Sequence, residues 1–153
     1  MVWAIDYAHL HNYLLPRDCP RVTFYADENS DHKDIEKLMA GTSTKHVIAI
    51  EARWLPKIQK QCLYQYEFDS KDFELVDKIA GYWISRKSVI PLAETKIDNI
   101  LSTLLEHDIE LRIMPSLWQL REAVINSTLA YSIIRMNKAH PPPEGLKSYH
   151  PLP

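Results

Sequence analysis

Glycine is scarce in this chain: Gly41, Gly81 and Gly145 are its only glycines. Neither G-x-G-x-x-G nor G-x-x-x-x-G-K occurs, so glycine-rich phosphate-binding loops are nearly excluded. No serine has the flanking glycines of a nucleophile elbow, and the sequence therefore gives no support for a nucleophilic triad.

Cysteine is equally rare, and neither Cys19 nor Cys62 has the spacing of a metal ligand. His9 and His11 alternate on a predicted helix, so their side chains point to different sides. The histidines at 46, 107, 140 and 150 have no cysteine or carboxylate at ligand spacing. We therefore expect two reduced thiols and no bound metal.

Long apolar runs are missing as well. No segment approaches the roughly 20 residues of a membrane helix, and no signal peptide is visible. The formal net charge of -2 gives no broad attraction to nucleic acid or to acidic membranes. These absences predict a cytoplasmic protein with no membrane partner and no general affinity for nucleic acid. These absences do not exclude a homo-oligomer.

The size and composition of the chain predict a single domain. Its 153 residues are 46% hydrophobic and 25% charged, which is ordinary for a globular protein with a sizeable core. We assign this domain to residues 1–139 and a proline-rich, extended tail to residues 140–153. Because the chain opens directly on an apolar run, Val2–Ile5, we expect the domain to lack a leading strand.

Hydrophobic periodicity predicts a mixed α+β domain with a mostly antiparallel split sheet and flanking helices. Strands are predicted at residues 2–5, 22–26, 46–51, 62–69, 73–76, 82–85, 89–92 and 109–113, and helices at 7–14, 31–40, 54–58 and 97–105. Ser116 and Gln119 have the spacing of a capping box. We therefore expect a long C-terminal helix from this point to about Asn137.

The stretch Tyr13–Tyr25 is a candidate binding element. Its two prolines fix the backbone and disfavour helix, which predicts a shaped, irregular connection. Arg17 and Arg21 could present two guanidinium groups to a phosphate or carboxylate. The alternative is that one arginine pairs with Asp18 and the other stacks on a tyrosine, which would make the stretch a rigid corner.

Aromatic residues mark two of the predicted strands. Tyr82 and Ser85 lie on one short strand that could wall a nucleotide pocket by stacking, although packing into the core is the alternative. On the strand at 62–69, alternate positions give one aromatic face. Glu67, which alternates with that face, is a candidate general acid or base, with a solvent-facing sheet residue as the alternative.

Five short runs resemble segments of a family of small uncharacterised bacterial proteins: VWAID, LPRDCPRV, YQYEFD, GYWIS and MPSLW. The resemblance extends over almost the whole chain to about Ala139 and implies no established activity. Members of that family open with a further strand carrying a His-x-Ser element, which this chain does not contain. That difference agrees with the leading strand that we expect to be missing.

The order of elements also resembles the ADP-ribosyltransferase-like fold, which includes RNA 2′-phosphotransferases and rifampin ADP-ribosyltransferases. Val2–Asp6, Val22–Tyr25 and Tyr82–Ser85 are similar to segments of those enzymes. The resemblance implies a pocket for a nucleotide-like ligand such as NAD. The leading histidine that holds the NAD ribose in those enzymes is missing here, so we expect a pocket rather than turnover.

Two hypotheses follow for the function. The first is a protein that binds a nucleotide-like or phosphorylated ligand through Arg17, Arg21, Tyr82 and Ser85. The alternative is a non-enzymatic interaction module that uses the long C-terminal helix and an exposed sheet edge.

Overall fold

The structure is a computed structural model that describes residues 1–146. The predicted tail, residues 140–153, therefore lies partly outside the described residues. Nine strands and four α-helices follow one another along the described chain in this order: β1 (Val2–Ile5), β2 (Arg21–Tyr25), α1 (His32–Met39), β3 (His46–Glu51), α2 (Leu55–Lys60), β4 (Leu63–Glu67), β5 (Glu74–Asp77), β6 (Tyr82–Ser85), β7 (Ala93–Ile97), α3 (Ile100–Glu106), β8 (Ile109–Met114), α4 (Trp118–Ile125) and β9 (Ala130–Ile134). Short 3-10 helices lie at Tyr7–Tyr13, Ala52–Trp54, Ser70–Asp72 and Met136–Lys138.

The chain forms two compact units. Unit 1 consists of Met1–Pro16 and Lys57–His107, and unit 2 consists of Arg17–Pro56 and the chain from Asp108 onward. Mixed helices and mostly antiparallel sheets confirm the predicted α+β class. The single domain over residues 1–139 stays a prediction.

Unit 1 contains two small antiparallel sheets. One has the strand order β1-β6-β5, and the other is a ribbon of β4 and β7. In the first sheet, Trp3 pairs with Ile84 and Ile5 pairs with Tyr82. Because side chains two positions apart share a face, Trp3 and Tyr82 lie on the same face of this sheet.

Unit 2 is built around a four-stranded sheet with the order β8-β3-β2-β9. Its central strand β3 is parallel to β8 and antiparallel to β2. The four residues 47–50 of β3 are fully buried, as expected of an unbroken apolar run inside a sheet. Phe24, Trp118 and Val124 belong to the apolar cluster of this unit, which joins α4 to the sheet.

The predicted long C-terminal helix is wrong. Helix α4 ends at Ile125, where Asn126 Nδ2 donates to the Glu122 carbonyl at 2.8 Å and Ser127 Oγ donates to the Val124 carbonyl at 2.7 Å. The chain then forms β9, which pairs antiparallel with β2. The β9 sequence is β-branched and aromatic, so pairing with a buried strand outweighs continuation of the helix.

The predicted capping box does not cap α4. Leu117 occupies the N-cap position, with no side-chain cap, while Ser116 Oγ accepts from Trp118 N at 3.4 Å. The interaction-module hypothesis thereby loses the long helix on which it partly depended.

A second correction concerns residues 89–97. The strand predicted at 89–92 is not formed, and β7 follows it at Ala93–Ile97, paired with β4. Helix α3 accordingly begins at Ile100, with Asn99 as its N-cap accepting from Ser102 N at 3.0 Å. Pro91 lacks the backbone N–H that a paired strand uses, which favours pairing by the polar run after it.

Asp34 of α1 holds the connection between α4 and β9. Its Oδ2 accepts from the Thr128 hydroxyl at 2.7 Å and from Thr128 N at 2.8 Å. The hydrogen bond from the hydroxyl, followed by the one from the backbone N–H, holds the pKa of Asp34 below its ordinary value. The lowered pKa means that Asp34 contributes stability above its unfolded pKa, which is lost as the pH falls through its folded pKa.

We expect Thr128→Val to raise the pKa of Asp34 towards its ordinary value, because the hydroxyl donor is removed. NMR titration of the Asp34 carboxyl carbon measures this shift. The stability difference between Thr128→Val and the unaltered protein should be largest near neutral pH and shrink below about pH 4. Thr103→Val is the control, since Thr103 Oγ1 donates to the Asn99 carbonyl. The stability lost with this hydrogen bond should not depend on pH in this range. An unchanged Asp34 pKa in Thr128→Val would contradict the assignment.

Candidate functional site

Unit 1 contains an open cleft with a volume of about 1070 Å³. Its lining comes from strands β1, β4 and β6, from the 3-10 helix at Tyr7–Tyr13 and from the segment around residues 70–73. Aromatic side chains dominate this lining: Trp3, Tyr7, Tyr13, Tyr64, Tyr66, Phe68, Phe73, Tyr82 and Trp83. We call this site the aromatic cleft.

Two of these rings, Trp3 and Tyr13, are arranged edge to face around Tyr82. The Trp3 and Tyr82 ring centroids are 6.0 Å apart with an interplanar angle of 88°, and those of Tyr13 and Tyr82 are 6.2 Å apart with an angle of 63°. The hydroxyl groups of Tyr13 and Tyr82 are hydrogen-bonded to each other. Trp3 is 57% exposed, so its ring is accessible to a ligand.

The β4 strand contributes a second set of aromatic side chains. Tyr64 and Tyr66 are two positions apart and both are about half exposed. Glu94 lies opposite Tyr66 in the β4–β7 register, and its hydrogen bond with the hydroxyl raises the pKa of Tyr66. The predicted aromatic face of this strand therefore contributes to the lining of the cleft.

A glycine and an aspartate–histidine pair hold one corner of the cleft. Asp6 caps the 3-10 helix by accepting from His9 N at 3.1 Å, and His9 Nδ1 lies 2.6 Å from Asp6 Oδ1. Asp6 N in turn donates to the Gly81 carbonyl at 3.0 Å. Gly81 has φ +71°, and a Cβ at this position would lie 2.3 Å from His9 Nδ1. Glycine is thus required here by both conformation and space.

The described lining of the cleft carries only negative formal charge. Asp6 and Glu67 belong to it, and none of the described lining residues is lysine, arginine or histidine. Burial by itself would raise the pKa of Asp6, but the hydrogen bonds and charge of His9 hold it below its ordinary value. Asp6 is therefore ionised at neutral pH.

Of the four predicted ligand-binding residues, Tyr82 lines the aromatic cleft, and so does Glu67, the candidate general acid or base. Ser85 lies three positions along the same strand, so its side chain points to the opposite face. It is buried, and its Oγ accepts from Lys87 N at 3.3 Å in the turn after β6.

The two predicted arginines belong to unit 2, whereas Tyr82 and Ser85 belong to unit 1. Arg17 is exposed, but Arg21 begins β2 and is only 2% exposed. Arg21 Nη1 donates to the Cys19 carbonyl at 3.0 Å. That bond fits the alternative of a rigid corner, and a ligand-binding role of these four residues stays a prediction.

Sequence reasoning did not connect Trp3 and Asp6 with the cleft. Asp6 directly precedes the predicted helix at 7–14 and caps the 3-10 helix that forms there. Their proximity to Tyr82 depends on the pairing of β1 with β6, two strands about 80 residues apart. The signal that was available is the aromatic residue inside each of these two short strands.

Within residues 1–146, no three His, Cys, Asp or Glu side chains form a group that could hold a metal ion. No helix in this range has the length and apolar character needed to cross a membrane.

The fold and the site define a mixed α+β protein with an aromatic, acidic cleft. A family model described as a family of unknown function, DUF6886, matches residues 1–139, and the chain belongs to this family. The predicted membership of an uncharacterised family is thus confirmed. Neither the comparison with curated proteins nor the comparison with solved structures found a match. The ADP-ribosyltransferase-like architecture stays a prediction.

Proposed function

We propose that the protein binds a small, nucleoside-like molecule whose flat ring stacks in the aromatic cleft. The observation that carries this proposal is the dominance of aromatic side chains in the cleft lining. Every nucleobase has a π-face, and stacking on an aromatic side chain contributes about 1–3 kcal/mol per base. The cleft volume of about 1070 Å³ is close to the upper end of ordinary small-molecule sites.

The charge of the cleft restricts which part of a nucleotide it can hold. A phosphate needs cationic or N–H donors, whereas the charged residues of the described lining are Asp6 and Glu67. We therefore place the ring of the ligand in the aromatic cleft and assign no phosphate to it. NAD remains part of the proposal as a molecule that carries such rings, and the similar order of elements to ADP-ribosyltransferase-like enzymes supports its inclusion in the test.

We propose binding rather than catalysis. Asp6 is already engaged as the cap of the 3-10 helix, with its Oδ1 accepting from His9 N. Glu67 is exposed at the end of β4, and Gln65 Nε2 donates to its Oε1 at 3.5 Å. The cleft is therefore better suited to contact the ring of a ligand than to act as a general acid or base.

Calorimetric titration with adenosine, ADP-ribose and NAD tests the proposal. We expect adenosine to bind at least as well as ADP-ribose, because the cleft offers nothing to the phosphates. Each ligand that binds should raise the melting temperature with the logarithm of its concentration. The proposal is lost if all three leave heat and melting temperature unchanged at millimolar concentration, or if ADP-ribose binds and adenosine does not.

Trp3→Ala is expected to weaken adenosine binding about tenfold, because it removes an exposed stacking surface from the cleft. Tyr131→Ala is the matched control, since Tyr131 is an exposed aromatic residue of β9 in unit 2 and does not belong to the cleft lining. Circular dichroism verifies that both variants are folded. Equal affinities of the two variants would contradict stacking on Trp3.

A further inference from the structure

We infer that the ring bound in the aromatic cleft is a cation, such as an N-alkylated heteroaromatic ring. This inference rests on the proposed function and adds the charge of the ligand to it. It is carried by two independent features of the cleft, which are the sign of its charged residues and the character of its exposed rings.

The first feature is that both charged residues of the described lining are acidic. Asp6 pairs with His9, whose Nδ1 lies 2.6 Å from Asp6 Oδ1, but the Asp6 side chain is still 33% exposed and lines the cleft. Glu67 supplies a second carboxylate. An anionic ligand would be repelled by both groups, whereas a cationic ligand would be attracted by them.

Two lysines in the β4–β7 region are already paired with aspartates. Lys96, which lies opposite Tyr64 in the ribbon, has its Nζ 2.8 Å from Asp98 Oδ1. Lys71 Nζ lies 2.8 Å from Asp69 Oδ2. Neither lysine belongs to the lining of the cleft, so neither offsets Asp6 and Glu67 there.

The second feature is the arrangement of Trp3 and Tyr82. The face of an aromatic ring carries partial negative charge, and tryptophan attracts cations most strongly. Because Trp3 and Tyr82 meet at 88°, a ligand stacked on one ring meets the other at an angle rather than face to face. A neutral ring gains only stacking from this corner, whereas a cationic ring also gains attraction from the π-faces and the carboxylates.

Titration with N-methylpyridinium and with toluene, its uncharged isostere, tests the charge directly. Both are flat rings of the same size, and both titrations are followed by NMR of the indole N–H groups at low salt and neutral pH. We expect N-methylpyridinium to bind about fivefold more tightly or better. Added salt should reduce this preference, because Asp6 and Glu67 are not fully buried.

Two isosteric variants assign the preference to the carboxylates. Glu67→Gln and Asp6→Asn should each weaken N-methylpyridinium about threefold and leave toluene unchanged. Asparagine also caps helices well, so Asp6→Asn should retain the 3-10 helix. Glu74→Gln is the control for net charge, since Glu74 lies on β5 in the same unit, pairs with Arg86 and does not line the cleft. It should change neither affinity.

The outcomes separate the inference from the proposed function. Equal binding of toluene and N-methylpyridinium, or tighter binding of toluene, overturns the inference and leaves ring binding in place. Failure of both rings to bind overturns the inference together with the proposed function. The inference is supported if N-methylpyridinium binds more tightly than toluene and if this preference is reduced in Glu67→Gln and Asp6→Asn but not in Glu74→Gln.

Discussion

Gly81→Ala is expected to destabilise the protein by about 3 kcal/mol, from a left-handed backbone penalty and an overpacking penalty together. The left-handed φ of +71° disfavours any residue with a Cβ. The new Cβ would also lie 2.3 Å from His9 Nδ1 and 2.6 Å from His9 Cγ. His9 cannot easily move away, because its ring is hydrogen-bonded to Asp6. Urea unfolding followed by circular dichroism measures the loss.

Gly41→Ala provides the matched control for the backbone. Gly41 has φ +76°, yet nothing lies within 4 Å of a Cβ at this position. Gly41→Ala should lower the free energy of unfolding by about 1 kcal/mol, which is the penalty of the left-handed backbone alone. Placing Gly81→Ala in a His9→Ala background should reduce its cost towards this value, since most of the clash is removed. Equal losses for the two single glycine variants would show that the contact with His9 is unimportant.

Glu51→Ala is expected to cost about 3 kcal/mol, because it removes a fully buried carboxylate that accepts hydrogen bonds from His140 N and Arg53 Nε. Glu51 ends β3 and is 0% exposed. Its two oxygens accept from His140 N at 3.1 and 3.0 Å, and Arg53 Nε lies 3.2 Å from Oε1. Arg53 Nη2 also donates to the Lys138 carbonyl at 2.5 Å. Glu51 therefore ties the chain after β9 to the end of the central strand.

Glu110→Ala is the control for loss of an acid paired with arginine. Glu110 lies on β8, its side chain is 33% exposed, and its Oε1 lies 2.8 Å from Arg112 Nε. Such a partly exposed pair should contribute about 1 kcal/mol or less. Glu51→Gln should fall between the two, since it retains one acceptor oxygen. A free energy of unfolding for Glu51→Ala close to that of Glu110→Ala would refute a structural role of the buried carboxylate.

Elements with a strong local signal could be predicted from the sequence. Strand β3 is an unbroken apolar run, and α1 begins after Asp31, whose side chain accepts from Lys33 N at 2.8 Å as a cap should. The region after Ile125 could not be predicted in this way. Whether Ala130–Ile134 is helix or strand is decided by its pairing with β2, which is more than 100 residues earlier in the chain.

The residues of the aromatic cleft could be predicted from the sequence only in part, for the same reason. Tyr82 could be chosen because it is aromatic and lies in a short strand, a local property. Arg21 was chosen for its charge, but its burial follows from the position of β2 inside the sheet of unit 2. Trp3 and Asp6 join the cleft only through the pairing of β1 with β6. Local patterns indicate which residues can bind a ring, and long-range pairing decides which of them meet.

The division of the chain between the two units has a consequence for its biosynthesis. Unit 1 is complete once His107 has left the ribosome, because it consists of Met1–Pro16 and Lys57–His107. At that moment the sheet of unit 2 still lacks β8 and β9, including the partner that covers one side of β2. All residues of the aromatic cleft are thus translated before the last two strands, and during this interval the β2 and β3 edges of the nascent chain are open to wrong pairing.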